Sequence, residues 1–262
     1  MMARHRNKSQ PRRLPLHQMT DYLLVDISNS YTKLAFASVA RISAPVRIAT
    51  SKLSSSVAAG FLRKQRVRKV VVSSVVPKRN HAISKAAGEL EVLWVDSTLN
   101  LGVRIDYPKP KSIGADRLAN AAAVTGLYGF PAIVVDFGTA VTFDIVSDRC
   151  AYIGGVIAPG LEAMTTFLYQ RTALLPKLSL KEPRRAIGKS TIEAMLSGAV
   201  FGYRGLVREI LGRIRAEQFR RKKVYIVATG GYAHLIAGHL PEVGVVRPHL
   251  TLEGLRIVAN LN

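Results

Sequence analysis

The chain has 262 residues, 48% of them hydrophobic, and a formal net charge of +21. That length and apolar content suit a globular protein of one large or two small domains with a substantial core. The single cysteine, Cys150, excludes an intrachain disulfide and a Cys-rich metal site and fits a reducing compartment, the cytoplasm. Six scattered histidines without His-Glu-x-x-His spacing give a catalytic zinc no support. The longest uncharged span, 118–135, is broken by Gly129-Phe130-Pro131, so no membrane crossing is expected.

The first twenty residues carry Arg4, Arg6, Lys8, Arg12 and Arg13 with no acid and no apolar signal-peptide core. They read as a basic disordered leader over 1–20, with Met19 an alternative start just before the first strand. Hydrophobic period then predicts strands over 22–28, 31–38, 69–76 and 91–95, and helices at about 78–88 and 115–128. A second series follows, with strands at 131–137, 140–146, 152–157 and 223–228 and helices at about 160–170, 189–218, 231–239 and 250–260. These series predict two domains, 21–130 and 131–262. The basic runs at 63–69 and 213–223 sit where a strand is about to begin, and cations at helix ends are favoured by the helix dipole. No aromatic-rich RNA-binding signature or helix-turn-helix accompanies them, so they read as solvated faces rather than a nucleic-acid site.

The polar turn "DISNSYTK" at 26–33 joins two apolar runs and finds a counterpart further on. "LVDISNSYTKLAFA" begins at Leu24 and "VVDFGTAVTFDIVS" at Val134, matching Asp26 to Asp136, Ser28 to Gly138 and Thr32 to Thr142. Two similar halves would each present an acid and a hydroxyl-rich turn, with a cleft lined from both sides. A third turn, Thr229-Gly230-Gly231, lies between a buried strand and a helix, where backbone N–H groups can approach an anion. Gly188-Lys189-Ser190-Thr191 imitates the end of a Walker A loop, but Pro183 stands at the required first glycine and no apolar strand precedes it. It reads better as a helix start with Ser190 or Thr191 at the cap and Glu193 following. The dinucleotide fingerprint Gly-x-Gly-x-x-Gly is also absent after the first strand.

Taken in order, the 26–33 turn, Gly114-Ala115-Asp116-Arg117, Asp136-Phe137-Gly138-Thr139, the 152–160 segment "YIGGVIAPG", Gly188-Lys189-Ser190-Thr191 and Thr229-Gly230-Gly231 resemble type III pantothenate kinase. The resemblance runs from about residue 20 onward. It implies an α/β fold of two ribonuclease-H-like, actin-like ATPase lobes with a nucleotide cleft between them. It also implies ATP-dependent phosphorylation of the primary hydroxyl of pantothenate, the first step toward coenzyme A. By the same resemblance Asp26, Ile27, Ser28, Asn29, Ser30, Tyr31, Thr32 and Lys33 form the first phosphate loop and Thr139 contacts the nucleotide. Asp26 organises the metal and phosphates, and Lys33 offsets charge during transfer. Tyr107, Gly114, Ala115, Asp116, Arg117 and Thr191 are implied to bind pantothenate, with Asp116 the general base. Asp136 is implied to hold a monovalent cation, K+ or NH4+, and Mg2+ to accompany ATP. A homodimer is implied as well, because pockets of this family are completed across a subunit interface.

From residue chemistry alone, Asp116 is equally an acid placed to suit a helix dipole, Asp136 a turn cap and Lys33 a strand-edge charge. The chain departs from the family's Asp-x-Gly-Asn-Thr pattern at Ser28 and, more mildly, at Ser30. Serine at a position with φ > 0 would cost about 1 to 3 kcal/mol, and at negative φ would only narrow the room for phosphate. On that ground Ser28→Gly is expected to improve ATP affinity or turnover. Two other functions stand beside the kinase: a degenerate paralogue that binds nucleotide or pantothenate in a regulatory role, motivated by Ser28 and the altered first loop, and a basic nucleic-acid-binding protein, motivated by the charge.

Overall fold

The computed structural model describes residues 20–220 and 222–262. The leader expected over 1–20 lies, Thr20 apart, outside the described residues. The first half builds strands β1 (Tyr22–Ile27), β2 (Tyr31–Ala37), β3 (Val46–Ala49), β4 (Lys69–Ser74) and β5 (Glu91–Trp94), with helices α1 (Ser55–Leu62) and α2 (Pro77–Ala87). A short strand β6 (Arg104–Ile105) and helix α3 (Ala115–Tyr128) follow. The second half builds β7 (Ala132–Phe137), β8 (Ala140–Val146), β9 (Ala151–Pro159), α4 (Leu161–Arg171), α5 (Thr191–Ile214), β10 (Tyr225–Gly230), α6 (Ala233–Ala237), β11 (Val245–Val246) and α7 (Leu250–Leu261).

The strand order shows the internal repeat directly. The first sheet runs β3-β2-β1-β4-β5 and the second β9-β8-β7-β10-β11, with β6 added beyond β9. In each, a first hairpin is antiparallel and the later strands join parallel to the first. The hairpin turns differ by one residue. Asp26 lies opposite Lys33, whereas Asp136 lies opposite Thr142. The counterpart of Thr142 is therefore Lys33, and the Thr32–Thr142 match of the sequence comparison is off by one. A one-residue slip sends a side chain to the other face of a sheet, and Thr32 is indeed buried away from Asp26, against Thr50.

Alternation along the strands sorts residues into layers. Leu24 and Val71 of the first sheet and Val134 and Val227 of the second pack on one shared core built around α3 and α7. Leu23, Val25, Val70 and Val72 point outward onto α1 and α2, and Ile133, Val135 and Phe143 point outward onto α5 and α6. The two halves are thus joined by a common middle layer, and the C-terminal helix α7 packs on β1 and β4 of the first sheet. Gly254 of α7 faces the Ala119 carbonyl of α3, where a Cβ would collide with backbone; this close crossing draws the sheets together.

Helix ends follow the sequence signals. Ser190 caps α5 by accepting from the Glu193 N–H at 3.3 Å, and Glu193 accepts from the Lys189 N–H at 2.7 Å, a capping arrangement rather than a phosphate loop. Hydrophobic period missed α1, β3, β6 and β11, all of them short. The basic runs are partly neutralised locally: Arg68 pairs with Asp21, Lys69 with Glu91, Arg213 with Glu209 and Lys222 with Asp148. Among the described residues no helix is long and apolar enough to cross a membrane.

Candidate active site

The inward faces of β1, β4, β7 and β10 turn from apolar to polar at their C-terminal ends, above the shared core. Asp26 follows Leu24, Asp136 follows Val134, and Thr229 follows Val227, each two residues on and so on the same face. Ser73 lies beside Asp26, and Thr229 beside Asp136, in equivalent registers. A cleft floored by carboxylates and hydroxyls results, as the sequence repeat requires.

The 26–33 turn borders the cleft from the N-terminal lobe, with Ile27 and Thr32 directed to the other face of the sheet. Asp26 is 3% exposed at the end of β1 and accepts a hydrogen bond from the Ser28 hydroxyl at 3.3 Å. Ile27 is buried, while Asn29, Ser30 and Tyr31 are exposed at the turn. Ser30 meets Thr139 of the opposite lobe, hydroxyl to hydroxyl, at 2.9 Å. Burial pushes the Asp26 carboxyl up to about 7; the Lys33 ammonium and the Ser28 hydroxyl oppose it, and the Asp116 and Asp136 carboxylates add to it. Asp136 is also raised, by burial, against Lys33 and a hydrogen bond from Asn120 Nδ2 at 3.3 Å. Asn120 in turn accepts from the Thr251 hydroxyl at 2.9 Å, so α3 and α7 together hold Asp136.

Ser28 does not carry the strain its position invited. Among the described residues only Cys150 and Arg220 combine a side chain with φ in the left-handed region. Its partner Gly138 lies outside that region too, and a Cβ there would stand 3.5 Å from the Ala140 carbonyl, an ordinary contact. With no strain to relieve, Ser28→Gly is expected to lose about 0.4 to 1 kcal/mol of stability through the freer unfolded chain, and a gain in turnover or ATP affinity would have to come from added room for phosphate. Denaturant unfolding with steady-state kinetics checks both, and a faster, tighter-binding variant would restore the original expectation. Gly230 differs, because its φ is +93° and a Cβ would stand 2.6 Å from Asp136 Oδ1 and from Phe137 backbone. This turn admits only glycine.

On α3, Gly114 and the buried Ala115 lead into half-buried Asp116. Asp116 Oδ1 accepts from the Arg117 N–H at 2.8 Å. Burial raises its pKa, the Asp136 carboxylate adds, and Arg117 opposes. A carboxyl raised toward neutrality is better matched to removing a proton from an alcohol. The Arg117 side chain turns to the second lobe, where Nε donates to Asp144 Oδ1 at 2.6 Å and Tyr152 Oη donates to the same oxygen at 3.2 Å. Asp144 is fully buried on β8, and burial pushes it to about 7 against the lowering by Arg117. Tyr107 packs edge-on to Tyr152 at 6.2 Å and borders a cavity of about 180 Å³ with Pro108, Lys109 and Ser112. Asp116, Arg117, Tyr107, Asp26, Lys33, Asp136 and Thr139 thus converge, whereas Thr191 sits exposed in the first turn of α5. Asp144, Tyr152, Asn120 and Thr251 were not singled out as site residues. An acid in the otherwise apolar strand "AVTFDIV" was the signal available for Asp144.

Oxygen donors on carboxylates and hydroxyls suit a hard cation such as Mg2+, which takes one or two carboxylates and completes its shell with phosphate and water. Asp26 and Asp136 with the partnerless buried hydroxyls of Ser73 and Thr229 beside them meet that description. Among the described residues no three His, Cys, Asp or Glu side chains group for an all-protein metal cage.

Two ribonuclease-H-like lobes around a polar cleft define the actin-like fold. Solved structures with this fold include a conserved Baf family protein of Campylobacter jejuni (TM-score 0.60, 18% identity, 91% of this chain and 97% of that one). Another is the ethanolamine utilization protein EutJ of Carboxydothermus hydrogenoformans (TM-score 0.54, 15% identity, 95% and 92%). The family model for type III pantothenate kinase matches residues 22–213. The type III pantothenate kinase of Akkermansia muciniphila is 49% identical over 92% of this chain and 99% of its own, and that of Methylacidiphilum infernorum 42% over 91% and 88%. The chain belongs to the type III pantothenate kinase family, and its reaction is ATP-dependent phosphorylation of pantothenate in coenzyme A biosynthesis.

Proposed function

We propose that Asp116 is the general base of this kinase and that ATP and pantothenate meet in the cleft between the lobes. The observation that carries this reading is the single cluster of Asp26, Lys33, Asp116 and Asp136, whose charges act on one another across the cleft. The 26–33 turn and Thr139 hold the phosphate tail of ATP, with Lys33 facing the terminal phosphates. Asp116 takes the proton from the primary hydroxyl of pantothenate as the bond to phosphorus forms, so charge does not accumulate on the attacking oxygen. Arg117, oriented by Asp144, clamps the pantothenate carboxylate, and Tyr107, Gly114 and Ala115 wall that pocket, with Thr191 contributing from α5. Asp26 would hold Mg2+ with the nucleotide and Asp136 a monovalent cation, K+ or NH4+, and such ions would neutralise charge on the phosphate oxygens. The measurement is pantothenate-dependent ADP release against increasing NH4+ or K+. Saturable activation, lost in Asp136→Asn, is expected; indifference to both ions would remove Asp136 from that role.

Burial of Asp26 has a stability consequence. Between the ordinary 3.8 and about 7, the folded chain keeps a proton that the unfolded chain has released, so this group's contribution to stability falls as pH rises through that window. Asp26→Asn is expected to abolish turnover yet raise the melting temperature at pH 8 by several degrees, the neutral amide escaping a penalty of about 1.4 kcal/mol per pKa unit. A lower melting temperature for this variant at pH 8 would contradict it.

The enzyme is proposed to act as a cytoplasmic homodimer. Met164 and Phe167 on α4, with Leu174, Ile187 and Ile192 between α4 and the start of α5, are 40 to 90% exposed. Exposed apolar side chains of that size mark an interaction site where they are contiguous, and Thr191 precedes Ile192 at the start of α5. Light scattering should find a dimer, and Phe167→Asp should yield monomers with a raised KM for pantothenate. A wild-type monomer with full activity would overturn this.

A further inference from the structure

The strand β3 supplies a cation that no step above uses. Arg47 pairs in register with Lys33, which pairs with Asp26, so Asp26, Lys33 and Arg47 form one row across β1, β2 and β3 on the cleft face. The Arg47 guanidinium lies over the Tyr31 ring, 3.4 Å from its centroid. Tyr31 opens β2 immediately after the phosphate turn. Among the described residues Arg47 makes no ion pair with a carboxylate.

Its position relative to the turn is fixed from behind. Three residues on, buried Thr50 donates its N–H to the Ser30 carbonyl at 3.1 Å and its hydroxyl to the Ser28 carbonyl at 2.7 Å. Arg79 of α2 anchors the segment by donating to the Ser51 and Leu53 carbonyls at 3.0 and 3.2 Å. Phosphate turn and β3 therefore move as one piece. Across the cleft, Tyr232 donates to Glu162 at 3.2 Å; burial and Glu162 push its hydroxyl up, and Tyr31 and Arg47 act on it from the opposite lobe, Arg47 in the lowering sense. Ser30, next to Tyr31, meets Thr139 of the second lobe at 2.9 Å, so Arg47, stacked on Tyr31, stands at the mouth between the lobes.

We propose that Arg47 is a further nucleotide-binding residue, which holds phosphate oxygens of the ATP tail beyond the reach of Lys33. Stacking on Tyr31 fixes the guanidinium plane and leaves its N–H edges for a bidentate contact, which a lysine would not reproduce. Rather than meeting a carboxylate of the protein, this cation waits for an anionic ligand.

The assignment rests on the kinase reading, and wild-type turnover in the same assay separates failure of one from failure of the other. Steady-state kinetics of Arg47→Ala and Arg47→Lys are measured with ATP and pantothenate varied in turn, alongside thermal melting. Arg47→Ala is expected to raise KM for ATP roughly ten- to a hundredfold, the size of one charged hydrogen bond, with KM for pantothenate within about twofold. Arg47→Lys should recover only part of the loss, and melting should be unmoved. An unchanged KM for ATP, or a rise confined to pantothenate, overturns the assignment; so does lowered melting with unaltered KM for ATP.

Discussion

Asp116→Asn is expected to lower kcat by about 10² to 10⁴, the range general-base catalysis supplies. The substitution keeps the shape of the side chain and its acceptor for the Arg117 N–H, so the loss should fall on chemistry rather than folding. Melting should hold or rise, because the carboxyl it removes is one that burial and the Asp136 charge already disfavour in the ionised form. KM for either substrate should move little, since an interaction made only in the transition state affects kcat and kcat/KM alike. Near-normal turnover would take Asp116 out of the role of base and leave it as a charge at a helix N-terminus.

Asp144→Ala should be the most damaging single substitution for the fold near the site. It strands the Arg117 guanidinium, which is mostly buried, and removes the acceptor for Tyr152 Oη. Breaking one side of a buried ion pair costs about 3 to 5 kcal/mol, most of it the penalty of the charge left behind. On the proposed role of Arg117 as clamp for pantothenate, KM for pantothenate should rise well above that for ATP in whatever fraction folds. Denaturant unfolding and kinetics together test this, and a loss under about 1 kcal/mol would mean that Arg117 finds another partner. Asp144→Asn should be milder, since the amide oxygen still accepts from Arg117.

Asp144 also shows where sequence reading stopped. The acid-bearing turns at Asp26 and Asp136, the glycines at 230 and 231 and the cap at Ser190 are local chemistry, and each lies where its residues implied. The two-lobed fold followed from the repeat of those turns, and the sheet orders repeat it strand for strand. What pairs residues far apart was hidden. Arg117 reaches Asp144 across 27 positions and Thr251 reaches Asn120 across 131, and neither spacing leaves a periodic trace. The hairpin register was hidden as well, since one extra turn residue decides whether Thr32 or Lys33 faces the cleft. Short elements such as β3 escaped because four residues, half of them exposed, carry too little alternation to be seen. With β3 went Arg47 and Thr50. Ser28 erred the other way: the departure from glycine looked costly, and the backbone there proved to be one that any residue can adopt. The case for a degenerate kinase thereby loses the strain part of its motivation.

The most direct test is the product itself. Purified protein with ATP, Mg2+, NH4+ and pantothenate should form 4'-phosphopantothenate and ADP in equal amounts, followed by mass spectrometry, with formation falling by at least about a hundredfold in Asp116→Asn. Folded wild-type protein that consumes ATP without making phosphopantothenate, or an Asp116→Asn variant that makes it at the wild-type rate, would contradict the account.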